Sequence, residues 1–191
     1  MTPSLTGYAN LRTNRRMLLH TPAIQAAWAF AQLAHAGQKY GDDDYDVHVR
    51  EVALTLQDHG YSQESWIIKG LLHDCFEDNS NVTLEILVAG FGADVAEGVD
   101  TCSGFGETRL ERVTMIAEKM RQRPRHIPVK VADRIVNLRA AAKNKSVRHA
   151  LLYLGEAAGF DEIVRDHVGD TMWLDLQDAY AACERMVGEH H

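Results

Sequence analysis

Residues 70–79 read GLLHDCFEDN. The residues leading into this stretch, from about Trp66, are apolar on most sides, which marks a central, buried helix. The spacing predicts one helix from about Trp66 to Glu77, with Ser62 and Ser65 as candidate N-caps. Four ionisable side chains, His73, Asp74, Glu77 and Asp78, then crowd its end. A helix C-terminus carries negative partial charge and favours Lys or Arg, so three acids are out of place there as plain surface decoration. Burying them without partners is costly. A divalent cation is one partner that resolves the conflict; a solvated helix end is the alternative. In a continuous helix His73 and Glu77 are i,i+4, as are Asp74 and Asp78, so neighbouring strips of one surface point the same way. Imidazole with carboxylate suits Mn, Fe, Zn or Ni, and no thiolate spacing points to structural zinc. Cys75 falls away from these pairs and reads as core.

Outward from this stretch the pattern stays helical. Residues 22–36 open with Pro22 after Thr21 and close before Gly37. Residues 48–59 place Val49, Val52, Ala53 and Leu56 at helical spacing and stop at Gly60. Thr83 can cap LEILVAG, and Asp94 marks a fresh start after Phe91 and Gly92. Residues 107–121 are amphipathic with alternating charge, Pro124 and Pro128 bracket a short break, and VKVADRIVNLRAAAK resumes a helix. From Ser146 to Val187 two or three more helices are expected, broken near Gly159 and Gly169. No Asn-Gly or Asp-Gly hairpin signal occurs, so the expected class is all-α. Two Gly-containing loops, 37–47 and 102–107, interrupt the helices, and loops on such a scaffold tend to carry ligand contacts.

The composition bounds the function. The 191 residues suit a single domain, 1–191, large enough to close its own core. A net charge of −7 disfavours nucleic-acid binding, which runs on a basic face. It leaves room for a small anionic ligand where a metal supplies positive charge. Three scattered cysteines without a CxxC motif read as reduced intracellular thiols. The N-terminal residues hold no apolar signal core, and no stretch approaches the ~18–20 apolar residues of a membrane span, so a soluble cytoplasmic protein is expected. His190 and His191 read as a terminal addition to the chain.

Two further residues bear on the metal reading. Asp133 lies among Val129, Val131, Ala132, Ile135 and Val136, where an unpartnered carboxylate is rare. Its partner is either Lys130 or Arg134 nearby, or the same metal. His48, at the start of the helix after the acidic loop, is a cap, a satisfied core residue, or a third element of the site.

The order His48, then His73-Asp74, then Asp133 resembles the H…HD…D pattern of the HD phosphohydrolase superfamily. AHAGQKYGDDDYDVHV resembles the AHxGQxRxxGxPYxxHP stretch of RelA/SpoT-type alarmone hydrolases. GLLHDCFEDN resembles their LLHDxxED, VKVADRIVNLR their xKLADRLxNxR, and FGADVAEGV their FGxxVAxxV. The likeness spans about residues 25–160, leaving 1–21 as an N-terminal extension and 161–191 as C-terminal helices. It implies a compact multi-helix HD bundle with a buried metal site. It also implies a stand-alone hydrolase that removes the 3′-diphosphate from guanosine alarmones, (p)ppGpp, giving GDP or GTP and pyrophosphate.

The resemblance implies His48, His73, Asp74 and Asp133 as metal ligands, usually to Mn²⁺, and Glu77 and Asp78 as the acid pair that orients or deprotonates the attacking water. It places Lys39 against the purine base and Asn137 on the nucleoside, and Arg148 and Tyr153 near the substrate. Lys39, Arg109 and Arg148 are the cations expected to attract a polyanion. The expected partner is a small nucleotide, with neither nucleic acid nor membrane, and a homo-oligomer is left open.

The chain departs from the family in its loops. The family's HP is His48-Val49, its Arg-Lys pair is Lys39-Tyr40, its GxPY is Gly41-Asp42-Asp43-Asp44-Tyr45, and its Thr-Lys is Asp100-Thr101-Cys102. None of these replaces a metal or acid residue, so they are expected to bear on substrate more than on reaction. Adenosine alarmones, (p)ppApp, and a nucleotide phosphomonoester are the nearest alternative substrates. A non-catalytic nucleotide sensor and a plain helical interaction domain are rivals of other classes.

Overall fold

Thr21 opens the first helix: its hydroxyl accepts from the Ile24 amide at 3.2 Å, and Pro22 follows with its backbone already set for a helix. The computed structural model describes residues 21–189, so the N-terminal extension before Thr21, where the expectation about a signal core falls, and His190 and His191 lie outside the described residues. From there the chain runs α1 (Pro22–Ala34), β1 (Lys39–Tyr40), β2 (Asp43–Asp44), α2 (Asp46–Asp58), α3 (Glu64–Leu72), α4 (Cys75–Asp78), α5 (Leu84–Phe91), α6 (Ala93–Cys102), α7 (Arg109–Gln122), α8 (Ile127–Lys143), α9 (Val147–Val164) and α10 (Asp170–Gly188). The all-α class holds. Thr83 caps α5 through the Ile86 amide, and Thr108 and Glu111 form a reciprocal capping box on α7.

Two apolar clusters flank α2. Val49 and Ala53 belong with α1, α3, α5 and α6, whereas Val52 and Leu56 belong with α7, α8, α9 and α10. Each pair is i,i+4 apart, so one helix presents a separate apolar strip to each half. That makes α2 the central post, and α8, with eleven buried residues, is the other. No helix among the described residues is long and apolar enough to cross a membrane.

Four local expectations are corrected. The helix from Trp66 does not run through to Glu77: it ends at Leu72, His73 and Asp74 form a turn, and a fresh turn starts at Cys75. Asp74 sits at φ −102°, ψ −8°, in the sparsely populated bridge region, and this bend lets consecutive residues aim at one point where a straight helix separates them by about 100°. Neither Ser62 nor Ser65 caps α3; Gln63 stands at that position without a side-chain cap. Gly159 does not break α9, which continues to Val164. The loop at 37–47 contains a small hairpin, with Lys39 paired to Asp44 and Tyr40 to Asp43. Its turn is Gly41-Asp42, with Gly41 at φ +64°, a conformation that favours glycine.

Candidate metal centre

Two helices and one bend supply the site. His48 comes from the first turn of α2, His73 and Asp74 from the bend after α3, and Asp133 from the middle of α8. One ligand atom from each of the four lies within 4.8 Å of all the others. His48 Nε2 is 3.4 Å from Asp74 Oδ2 and 3.3 Å from Asp133 Oδ1. His73 Nε2 is 2.9 Å and 3.6 Å from the same two oxygens. Both imidazoles are at most 1% exposed.

The hydrogen bonds around this group fix its tautomers and aim. A carbonyl can only accept, so the contact of His73 Nδ1 with the Gly70 carbonyl (2.9 Å) puts a proton on Nδ1 and turns Nε2 toward the carboxylates. His73 Nε2 has no hydrogen-bond partner of its own, nor has His48 Nδ1. Asp74 Oδ2 accepts from the Tyr45 hydroxyl at 2.6 Å. Asp133 is held at both oxygens, Oδ2 by Lys130 Nζ at 2.8 Å and Oδ1 by Asn137 Nδ2 at 2.5 Å. Of the partners foreseen for Asp133, Lys130 is therefore present, and the two histidines with which Asp133 would share a metal stand beside it. Lys130 is itself largely buried, and Asp133, Asp74 and Glu77 together outweigh burial and raise its proton affinity.

The electrostatics call for a cation. Burial alone would lower the His73 pKa, but Asp74 and Asp133 overcome it and push it up to about 10. Burial alone would raise Asp74 and Asp133, yet the histidines and Lys130 hold both well below the usual carboxylate range. A proton on Nε2 and a divalent ion answer the same field. The orphaned Nε2 among carboxylate oxygens, and a second ring nitrogen tied to a backbone carbonyl, fit an ion: ligand bonds of about 2.0–2.2 Å separate adjacent ligand atoms by roughly 3 Å. His48, His73, Asp74 and Asp133 are thus a set able to hold one divalent metal.

The acid pair lies beside the set without following it along a helix strip. Glu77 Oε2 accepts from the Gly104 amide at 2.8 Å, and Asp78 Oδ2 from Gln38 Nε2 at 2.8 Å. Burial, with Asp74 adding to it, raises both carboxyls above the ordinary range. Gly104 has no room for a side chain, because a Cβ would meet the Arg112 carbonyl oxygen at 2.4 Å.

The remaining foreseen residues divide. Asn137 bridges Tyr40 and Asp133. Tyr153 is half-buried beneath the guanidinium groups of Arg109 and Arg134, at 5.6 and 4.8 Å, and both arginines pair with Glu156. Lys39 stands exposed on the hairpin and pairs with Asp44 at 2.6 Å, and Asp42 and Asp43 are exposed beside it, a solvated acidic tip. Arg148 is exposed on the first turn of α9. Cys75 is buried, its Sγ 3.5 Å from His35 Nε2. Sequence reasoning missed the roles of Tyr40 and Tyr45, whereas Lys130 stands where it was expected, on Asp133. The available signal was the position of Tyr45, three residues before His48 and so about one helical turn from a candidate ligand.

The HD-domain profile matches residues 27–153, and this chain belongs to the HD-domain family. Among curated proteins, the chain is 32% identical over 126 residues to a guanosine-3′,5′-bis(diphosphate) 3′-pyrophosphohydrolase of Aquifex aeolicus, covering 63% of this chain and 18% of that protein. It is 34% identical over 126 residues to the protein of the same name from Vibrio cholerae, covering 61% and 18%, and 34% identical over 128 residues to a probable GTP pyrophosphokinase of Mycobacterium leprae, covering 61% and 15%. The chain thus spans less than a fifth of the length of these relatives. A solved structure, described as a metazoan ortholog of SpoT that hydrolyzes ppGpp, superposes with a TM-score of 0.70 over 87% of this chain and 97% of its own, at 20% identity, which shows a shared fold.

Proposed function

We propose that this protein is a metal-dependent pyrophosphohydrolase that removes the 3′-diphosphate from (p)ppGpp. The observation that carries the reading is the convergence of ligand atoms of His48, His73, Asp74 and Asp133 within 4.8 Å, with Glu77 and Asp78 close enough to feel the Asp74 charge. Two relatives named for this reaction align over 61–63% of the chain, which supports the substrate.

His48, His73, Asp74 and Asp133 would hold the divalent ion, Mn²⁺ being the family's usual choice. When bound, such an ion activates water and offsets the negative charge that gathers on the phosphoryl oxygens. The chain's own residues do the rest. Glu77, raised above the usual carboxylate range and fixed by the Gly104 amide, accepts the proton of the attacking water. Asp78, fixed by Gln38, orients that water. The water oxygen bonds to the phosphorus attached to the 3′-oxygen. The bond from that phosphorus to the 3′-oxygen breaks, diphosphate departs, and the 3′-oxygen takes a proton. Arg109, clamped by Glu156 and only partly exposed, offers a fixed cation to a polyanion on a chain of net charge −7.

The base is the less constrained part of the substrate. Lys39 is engaged with Asp44, and Tyr40 stands where the family carries a basic residue, which favours adenosine alarmones as the second reading. Incubating the Mn²⁺-loaded protein with (p)ppGpp and (p)ppApp, and resolving products by chromatography, tests both. Pyrophosphate with GDP or GTP is expected. Orthophosphate release, or no turnover of either alarmone, overturns the reading. The soluble, cytoplasmic setting of such a substrate is part of the same proposal.

A further inference from the structure

The 37–47 loop reaches one carboxylate of the four-residue set directly and the other through Asn137. Tyr45 donates its hydroxyl to Asp74 Oδ2 at 2.6 Å. Tyr40 donates to Asn137 Oδ1 at 3.0 Å, and Asn137 Nδ2 donates to Asp133 Oδ1 at 2.5 Å. The Tyr40 ring lies against His48, centroids 4.6 Å apart. Asp133 Oδ1 is also the Asp133 oxygen that faces both histidine Nε2 atoms, at 3.3 Å from His48 and 3.6 Å from His73.

We propose that Tyr40 is a positioning residue of the metal centre, acting through Asn137 on Asp133; this rests on the metal reading above. A side-chain amide presents an oxygen at one end and a nitrogen at the other, and a flip of the amide exchanges them. Flipped, Asn137 would set its oxygen against a carboxylate oxygen. A phenol donating to Oδ1 removes that option, because the Tyr40 proton is satisfied only when the oxygen faces the hairpin. Asn137 Nδ2 then occupies one lone pair of Asp133 Oδ1, and the other is left for the ion. Lys130 engages Oδ2, so Asp133 is held from both sides with a defined lone pair of Oδ1 turned toward the histidines. The Asn137 amide is engaged at both ends, which makes it a relay before it is a base contact.

The test is a double-mutant cycle read in metal affinity, with no turnover required. Metal-stripped full-length protein is titrated with Mn²⁺ by calorimetry for the wild type, Tyr40→Phe, Asn137→Ala, the double variant, Tyr45→Phe, and Tyr45→Phe with Asn137→Ala. Tyr40→Phe is expected to weaken Mn²⁺ binding about 10-fold, the usual cost of losing an outer partner of a metal ligand. It should add nothing once Asn137 is Ala, whereas Tyr45→Phe, acting on Asp74, should weaken binding equally in both backgrounds. Wild-type affinity in Tyr40→Phe, or a loss that adds in full to that of Asn137→Ala, overturns the proposal. Should Asn137→Ala fail to fold, Asn137→Ser completes the same cycle. A wild type that binds no Mn²⁺ overturns the metal reading and this inference together; a wild type that binds and a neutral Tyr40→Phe overturns this inference alone.

Discussion

His73 donates its Nδ1 proton to the carbonyl of Gly70, 2.9 Å away and one turn earlier. The same glycine lets α3 lie close on α2, because a Cβ there would stand 2.9 Å from Ala53 Cα. That close approach sets the His73 ring 5.2 Å from the His48 ring. Gly70→Ala should therefore act on stability and on metal together. Separating α2 from α3 costs about 1–3 kcal/mol as overpacking, and it draws His73 away from His48. Gly90→Ala, at a helical glycine with open space around it, is the control and should leave both unchanged or slightly improved. Thermal melts and Mn²⁺ titration of the two variants check this.

Asp74 and Glu77 should separate binding from chemistry. Asp74→Asn removes one charged member of the set and one of the two carboxylates that draw a positive charge to His73, so metal and activity should fall together. Glu77→Gln keeps a side chain able to accept from the Gly104 amide but unable to accept a proton from water. It should retain stoichiometric metal by elemental analysis and lose roughly 10²–10⁴-fold in turnover, the usual worth of a general base. Full activity in Glu77→Gln would refute the assignment of Glu77 as the base.

Gly104→Ala should mimic Glu77→Gln by a different route. The added methyl meets the Arg112 carbonyl oxygen, so the loop shifts and the amide that holds Glu77 moves with it. Turnover should drop while the Mn²⁺ titration stays at wild-type affinity, since Gly104 touches none of the four ligands. Weakened metal binding would show that this loop supports the ligand set as well.

Much of this site could be read from the chain because its ligands sit where local rules are broken. Asp133 among valines and three acids at an apolar helix end are conflicts that only a partner resolves, and the partners prove to be one another. The bend at His73 and Asp74 was not legible, because local propensity favours a continuous helix there and the bend is imposed by long-range convergence with α2 and α8. Gly159 misled for the opposite reason. A helical glycine costs about 1 kcal/mol, which the burial of Phe160 and Val164 in the same helix outweighs. The hairpin did carry a signal in Gly41-Asp42, but two-residue strands lack the alternating pattern by which strands are recognised. The contact of Tyr40 with Asn137 spans 97 positions, and no spacing rule reaches that far.

Asp100, remote from the four ligands in sequence, offers a pH test of the scaffold. On α6 it is 14% exposed and bonded to Lys119 Nζ at 2.6 Å and Arg123 Nη1 at 2.5 Å. Burial works to raise its pKa, but the two cations outweigh it and hold the carboxyl below the usual range. A carboxyl whose folded pKa is depressed contributes stability above its unfolded pKa, about 3.9, and loses it as pH falls through the folded value. Asp100→Asn should therefore cost about 1.5–3 kcal/mol at pH 7, as expected for hydrogen bonds to a charged group. The gap between variant and wild type should narrow steadily below about pH 4. Urea midpoints at pH 7 and at successive acid steps measure it, and a gap that stays constant with falling pH would show that Asp100 contributes by shape and not by charge.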